Sequence, residues 1–188
     1  ELSDNPVEKV NLYRAVARRW VEQFSNVQNA VNAYEALLET DPDDEEALLR
    51  LKELYLKRRS WPQLFGLYER QVQKLEGKNK IELLGEMSKL AAERLDKGAV
   101  AIELMKEILA LDPAASGVLD ALEKQAEREK DFATVAEVLE RRVDLAADDA
   151  GRLAALQKLG AVYADRLHDA ASAARTWRRV LQISPGHS

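Results

Sequence analysis

His168 and His187 are the only imidazoles in a chain of 188 residues that contains no cysteine. Catalysis by a nucleophile or general base needs groups that converge, and the sole His–Asp neighbours, His168-Asp169, stand where one helical pattern gives way to the next. Asp169 is better used there as the cap of the following helix. Carboxylates gather as Asp41, Asp43, Asp44, Glu45 and Glu46. That run lacks the alternating ligands and glycine turn of a calcium loop, and reads as solvated charge at a helix start. No glycine-rich loop could cradle phosphate. Without cysteine there is neither thiol chemistry nor a disulfide, although the compartment is left open. The sequence therefore reads as non-enzymatic, with no catalytic, cofactor-binding or metal-ligating set.

Cations cluster at Lys57-Arg58-Arg59, Arg141-Arg142 and Arg178-Arg179, each with acidic residues close by. Helical repeats that read RNA exist, so nucleic acid is a rival partner. A net charge of −5 and the lack of a continuous basic stripe argue against it. No apolar run approaches the ~20 residues that span a bilayer. No signal-peptide pattern opens the chain, which begins at Glu1 rather than Met and so leaves its natural N-terminus and localisation open.

Almost every segment has helical periodicity. Val27, Ala30, Val31, Tyr34, Leu37 and Leu38 follow spacings of three and four, the pattern of one buried face. The starts carry cap chemistry. Asn5, Ser25 and Asn79 each begin a capping-box pattern, and Ser60, Asp131 and Asp169 precede apolar runs. Asp41 is expected to cap a helix with Pro42 at its first position, and Ser184-Pro185 to do the same.

That punctuation recurs. Pro42, Pro113 and Pro185 lie 71 and 72 residues apart. Ala30, Ala101 and Ala173 share one phase; so do Tyr34, Met105 and Trp177, and likewise Leu38, Leu109 and Leu181. The segment YERQV (68–72) aligns with LERRV (139–143). Each long period divides into two helix pairs, giving one array over 1–188 with five units, approximately 6–39, 43–75, 79–111, 114–146 and 149–183. A period near ~34 is a repeat signature.

The chain resembles the tetratricopeptide repeat family. The fifth unit carries the pattern best, with Leu159-Gly160 and Tyr163 in its first helix, then Ala173, Trp177 and Pro185. The first offers Trp20, Ala30, Tyr34 and Pro42, and the second Leu48, Leu51, Tyr55, Trp61 and Tyr68. The third and fourth depart from it, with Ala91 and Ala126 replacing the aromatic of the first helix. The resemblance implies a right-handed all-α solenoid, in which Tyr34 and Trp177 are core and the first helix of each pair lines a concave groove.

By that implication the groove positions are Asn11, Arg14, Ala15 and Arg18 in the first unit. Glu46, Leu49, Arg50, Glu53, Leu56 and Lys57 follow in the second, and Glu82, Gly85, Glu86 and Lys89 in the third. The fourth supplies Gly117, Asp120, Ala121 and Lys124, and the fifth Ala154, Gln157, Lys158 and Ala161. The small residues at 85, 117, 121 and 161 would leave room for a segment of another protein, or would serve close helix packing. Glu82 and Glu86 stand where some relatives grip a terminal carboxylate with cations, so such a clamp is not expected. The functional expectation is a scaffold binding a protein or peptide. The alternative is a structural or self-assembling spacer within a longer array. The last helix, carrying Val180, Leu181 and Ile183, is expected to be uncapped and able to pair with another molecule.

Overall fold

In the computed structural model, residues 5–22 and 26–184 are described. Ser25, Pro185 and His187 lie outside them. Among the described residues there are ten α-helices and no strand. They run as consecutive antiparallel pairs: α1 (Pro6–Glu22) with α2 (Val27–Thr40), and α3 (Glu45–Arg58) with α4 (Trp61–Val72). Then come α5 (Gly77–Arg94) with α6 (Gly98–Leu111), α7 (Ser116–Glu129) with α8 (Phe132–Leu145), and α9 (Asp149–Ala161) with α10 (Ala170–Ile183). The chain forms two compact bodies, Glu1–Leu75 and Glu76–Ser188. No helix among the described residues is long and apolar enough to cross a membrane.

Within each body the first helix of a pair also packs on the second helix of the pair before it, α3 on α2 and α7 on α6. Ala30, Tyr34, Leu37 and Leu38 are buried in the first body. Their counterparts Ala101, Met105, Ile108 and Leu109 are buried in the second. Small residues at 30 and 101 let the paired helices approach, and the larger ones fill the space beyond.

The turn inside each of the last four pairs repeats one device. Arg59, Asp96, Lys130 and His168 adopt the left-handed conformation, with φ between 53° and 59°. The following N–H then reaches back to a carbonyl of the last helical turn, as in Ser60 to Tyr55 at 2.9 Å and Asp131 to Ala126 at 2.8 Å. In α5 and α9 the reach is one residue longer, Lys97 to Ala91 and Asp169 to Tyr163. A π-helical turn, Val162–Arg166, absorbs the extra residue after α9.

Several starts differ from expectation. Asp41 does not cap α3; its N–H donates to Leu37 as α2 ends, and its Oδ1 accepts from Asp43 N–H at 3.3 Å. Asp44 is the cap, its Oδ1 accepting from Ala47 N–H at 2.8 Å, and Pro42 sits in the turn. The turn between pairs therefore takes three more residues than the Asp-Pro reading allowed. Asp112 and Ser184 likewise end helices. Asn79 lies inside α5, which begins at Gly77. Ser60 stands at the start of α4 but makes no side-chain cap bond. Asp131 and Asp169 cap as expected, accepting from Thr134 N–H and Ser172 N–H at 3.1 and 3.0 Å.

Trp177 is the main departure in the core. Its indole lies on Gly160, where an added Cβ would stand 2.7 Å from Cε2, yet 37% of the residue remains exposed. Val180 is buried, against the expectation of an open face there. Tyr34→Ala should cost about 3–5 kcal/mol, whereas Trp177→Ala should cost no more than about half of that. Gly160→Ala should cost about 1–3 kcal/mol by displacing the indole. Urea denaturation of the three variants checks the order.

Acid should expose the caps. Burial raises the Asp131 carboxyl, but its bonds from Thr134 win and hold it below the ordinary aspartate range. The Ser172 hydroxyl, then its N–H, lower Asp169. Depressed carboxyls stabilise fully above their unfolded value near ~4, and this contribution disappears as pH falls through the lower folded values. Asp131→Asn with Asp169→Asn, which keeps cap acceptors without the titration, should flatten the loss of urea midpoint between about pH 4 and 2.

Candidate functional site: clefts on the first-helix face

The expected groove residues fall into ion-paired networks and one open cleft. In the first body Arg14 of α1 pairs with Asp44, and its Nε lies 3.4 Å from Glu46. Arg18 grips the same glutamate with two bonds, Nε to Oε1 at 2.7 Å and Nη2 to Oε2 at 2.6 Å. The hydrogen bond from Arg18 outweighs desolvation and holds the Glu46 carboxyl below its ordinary range. Arg50 pairs with Glu53 one turn on, at 2.9 Å. Asn11 accepts from Arg14 at 3.5 Å, while Ala15, Leu49, Leu56 and Lys57 are exposed. The groove arginines of this body are thus engaged by its own carboxylates, and Asp44 joins a helix cap to the α1–α3 contact.

In the second body two clefts lie side by side along the first helices. One of about 480 Å³ runs between α7 and α9, with Ala154, Gly151 and Leu119 among its lining residues. Its charges are satisfied internally. Arg142 of α8 pairs with Asp120 and lies 2.9 Å from Glu123. Lys158 binds Glu123 and, at 2.9 Å, Glu127. The bond to Glu123 raises the Lys158 ammonium above its ordinary value despite opposing burial.

The other cleft, about 500 Å³, opens between α5 and α7 over Met105 and Ile108 of α6. Here the structure brings together Gly85 and Lys89 with Gly117, Ala121 and Lys124. A Cβ built at Gly85 or Gly117 meets nothing within 4 Å, so both glycines face open space rather than a packed helix. Lys89, Lys124 and Arg128 stand on the rim, with Glu93 the one carboxylate among the lining residues. None of these three cations forms an ion pair among the described residues. The sequence reading omitted Arg128, although its place one turn beyond Lys124 on α7 puts the two on one face.

The remaining candidates are dispersed. Glu82 pairs with Lys78 at 3.6 Å, Glu86 and Ala161 are exposed, and Gln157 is half-buried. His168 occupies the exposed turn before α10.

No protein-family model matches the sequence, and no curated protein does. Solved structures similar to the chain along nearly its whole length include proteins described as tetratricopeptide repeat proteins. MamA is 16% identical, with 95% of this chain and 93% of that one covered, at a TM-score of 0.45. YrrB, described as a TPR protein with an unusual peptide-binding site, is 14% identical over 97% and 88%, at 0.45. A tetratricopeptide repeat protein from Parabacteroides merdae is 10% identical over 95% and 68%, at 0.46.

The arginine network of the first body should prove structural. Asp44→Ala removes both a cap and the acceptor for Arg14, and should cost about 2–3 kcal/mol in urea denaturation. Arg18 is largely exposed, so Arg18→Ala should cost under about 1 kcal/mol.

Proposed function

We propose that this chain is a non-enzymatic scaffold that binds an extended segment of another protein in the cleft between α5 and α7. The observation that carries this reading is the meeting of open small residues with unpaired cations. Gly85, Gly117 and Ala121 leave backbone-level room beside Met105 and Ile108, enough for apolar side chains of a bound segment. Lys89, Lys124 and Arg128 line it with Glu93 as the one carboxylate, and none of the three is ion-paired among the described residues, which favours an acidic sequence. The neighbouring α7–α9 cleft, with its cations already neutralised, offers no comparable selection by charge.

The cleft can be filled without harming the fold. Gly85→Leu and Gly117→Leu put side chains into open space and replace a poor helix former, so each should leave stability equal or higher by up to about 1 kcal/mol. Against a fluorescein-labelled library of acidic peptides with interspersed leucines, either variant should abolish binding seen with the native chain. Lys89→Glu with Lys124→Glu should weaken it about tenfold or more. Retained affinity in the leucine variants would place the binding surface elsewhere, and binding that requires intact RNA would assign the cations to phosphate.

A further inference from the structure

A cleft of about 690 Å³ opens between α2 and α4, on the second-helix face of the first body. Leu38, Leu51 and Leu67, all buried, form its floor, and its size is that of a ligand site. Gly66 lines it, and a Cβ built there meets nothing within 4 Å. Glu35, Glu39 and Glu69 also line it, with Arg70 as the one cation among the lining residues. Stacking does not cover this face. The chief packing partners of α2 are α1 and α3, and those of α6 are α5 and α7. Helices are added along the stack, and none is laid across the side where second helices stand next to one another.

The second body closes the same positions with its own side chains. By register Lys106 matches Glu35, and Glu137 matches Gly66. Lys106 of α6 lies 3.4 Å from Glu137 of α8, and Glu140 of α8 accepts from Arg179 of α10 at 3.0 Å. Adjacent second helices there are bridged by ion pairs. Between α2 and α4 no ion pair forms among the described residues. Glycine at 66 removes one partner, and glutamate at 35 reverses the charge of the other. Glu35 accepts instead from the Tyr55 hydroxyl of α3, while Glu39 and Glu69 are exposed and form no ion pair among the described residues. A carboxylate opposite a vacated partner position calls for a cation.

We propose that this cleft takes a basic segment of another protein, with an arginine or lysine over Gly66 reaching Glu35 and apolar side chains on the leucine floor. The occupant completes from outside the ion pair that the second body forms within itself. Its charge is opposite to that of the segment proposed for the α5–α7 cleft, and neither reading depends on the other. The chain's own basic runs do not fit as occupants. Arg142 and Arg179 are bound to carboxylates, and Lys57-Arg58-Arg59 is fixed in the end of α3 and its turn.

The test uses the full chain and a fluorescein-labelled peptide of alternating leucine and arginine. It should bind saturably, and a peptide of alternating leucine and glutamine at least about tenfold more weakly. Glu35→Lys with Gly66→Glu rebuilds the Lys106–Glu137 pair between α2 and α4, and should abolish binding with helicity kept. If that variant loses helicity, Gly66→Leu, which fills open space with a better helix former, should abolish binding in its place. Glu39→Lys should weaken binding about tenfold, whereas Asp144→Lys, the same charge change at an exposed site on α8, should leave it unchanged. Affinity kept in the cleft-filling variants would overturn the proposal. So would an equal loss in Asp144→Lys, which marks general attraction to an acidic chain, or binding of arginine amide as tight as that of the peptide. Concentration-dependent dimers dispersed by Gly66→Leu, seen in sedimentation, would instead assign the face to a second copy.

Discussion

A pair of antiparallel helices cannot bury the apolar faces of both its members. The second helix of each pair keeps an outward stripe that only another helix can shield, and this one need organises the chain. In the first body α3 shields Tyr34 and Leu38 of α2; in the second, α7 shields Met105 and Leu109 of α6. Turn chemistry serves the same end. A left-handed residue after each of the later first helices reverses the chain, and in the last two pairs an aspartate, Asp131 or Asp169, caps the helix that follows.

Once stacking is the rule, the outward surfaces of the first helices become the place where chemistry is free to vary. Most of that surface is spent on internal electrostatics. Arg14 and Arg18 close on Asp44 and Glu46, and Arg142 and Lys158 close on Asp120, Glu123 and Glu127. The contacts of Arg14, Arg18 and Lys158 tie adjacent first helices together, those of Arg142 tie α8 to α7, and all leave their cations poorly available to a ligand. Between α5 and α7 the pattern breaks: glycines face open space, and three cations form no ion pair among the described residues. Contrast between neighbouring clefts built on the same scaffold is what gives the α5–α7 cleft its functional weight.

The contact of Trp177 with α9 shows the same constraint in another form. The residue type is that of a covered position, but Trp177 rests on Gly160 with its other side accessible. The leucine-glycine pair of α9 supplies room for an indole rather than a sealed core.

The sequence by itself determined the helices, their pairing and the phase of the repeat. Those depend on local periodicity and on residue types that recur at fixed intervals, as at Ala30, Ala101 and Ala173. It also placed Asp131 and Asp169 at helix starts, because each is the only good cap beside its apolar run. Among the crowded carboxylates at 41–46 several could cap, and the tertiary pairing of Asp44 with Arg14 is what accompanies the choice. Only the folded chain decided which cations are neutralised, since Lys158 and Glu123 come from different helices and meet across a cleft. Burial of Trp177 was likewise beyond sequence pattern. A residue's type shows that it can be covered, whereas exposure depends on whether a neighbouring helix is there to cover it.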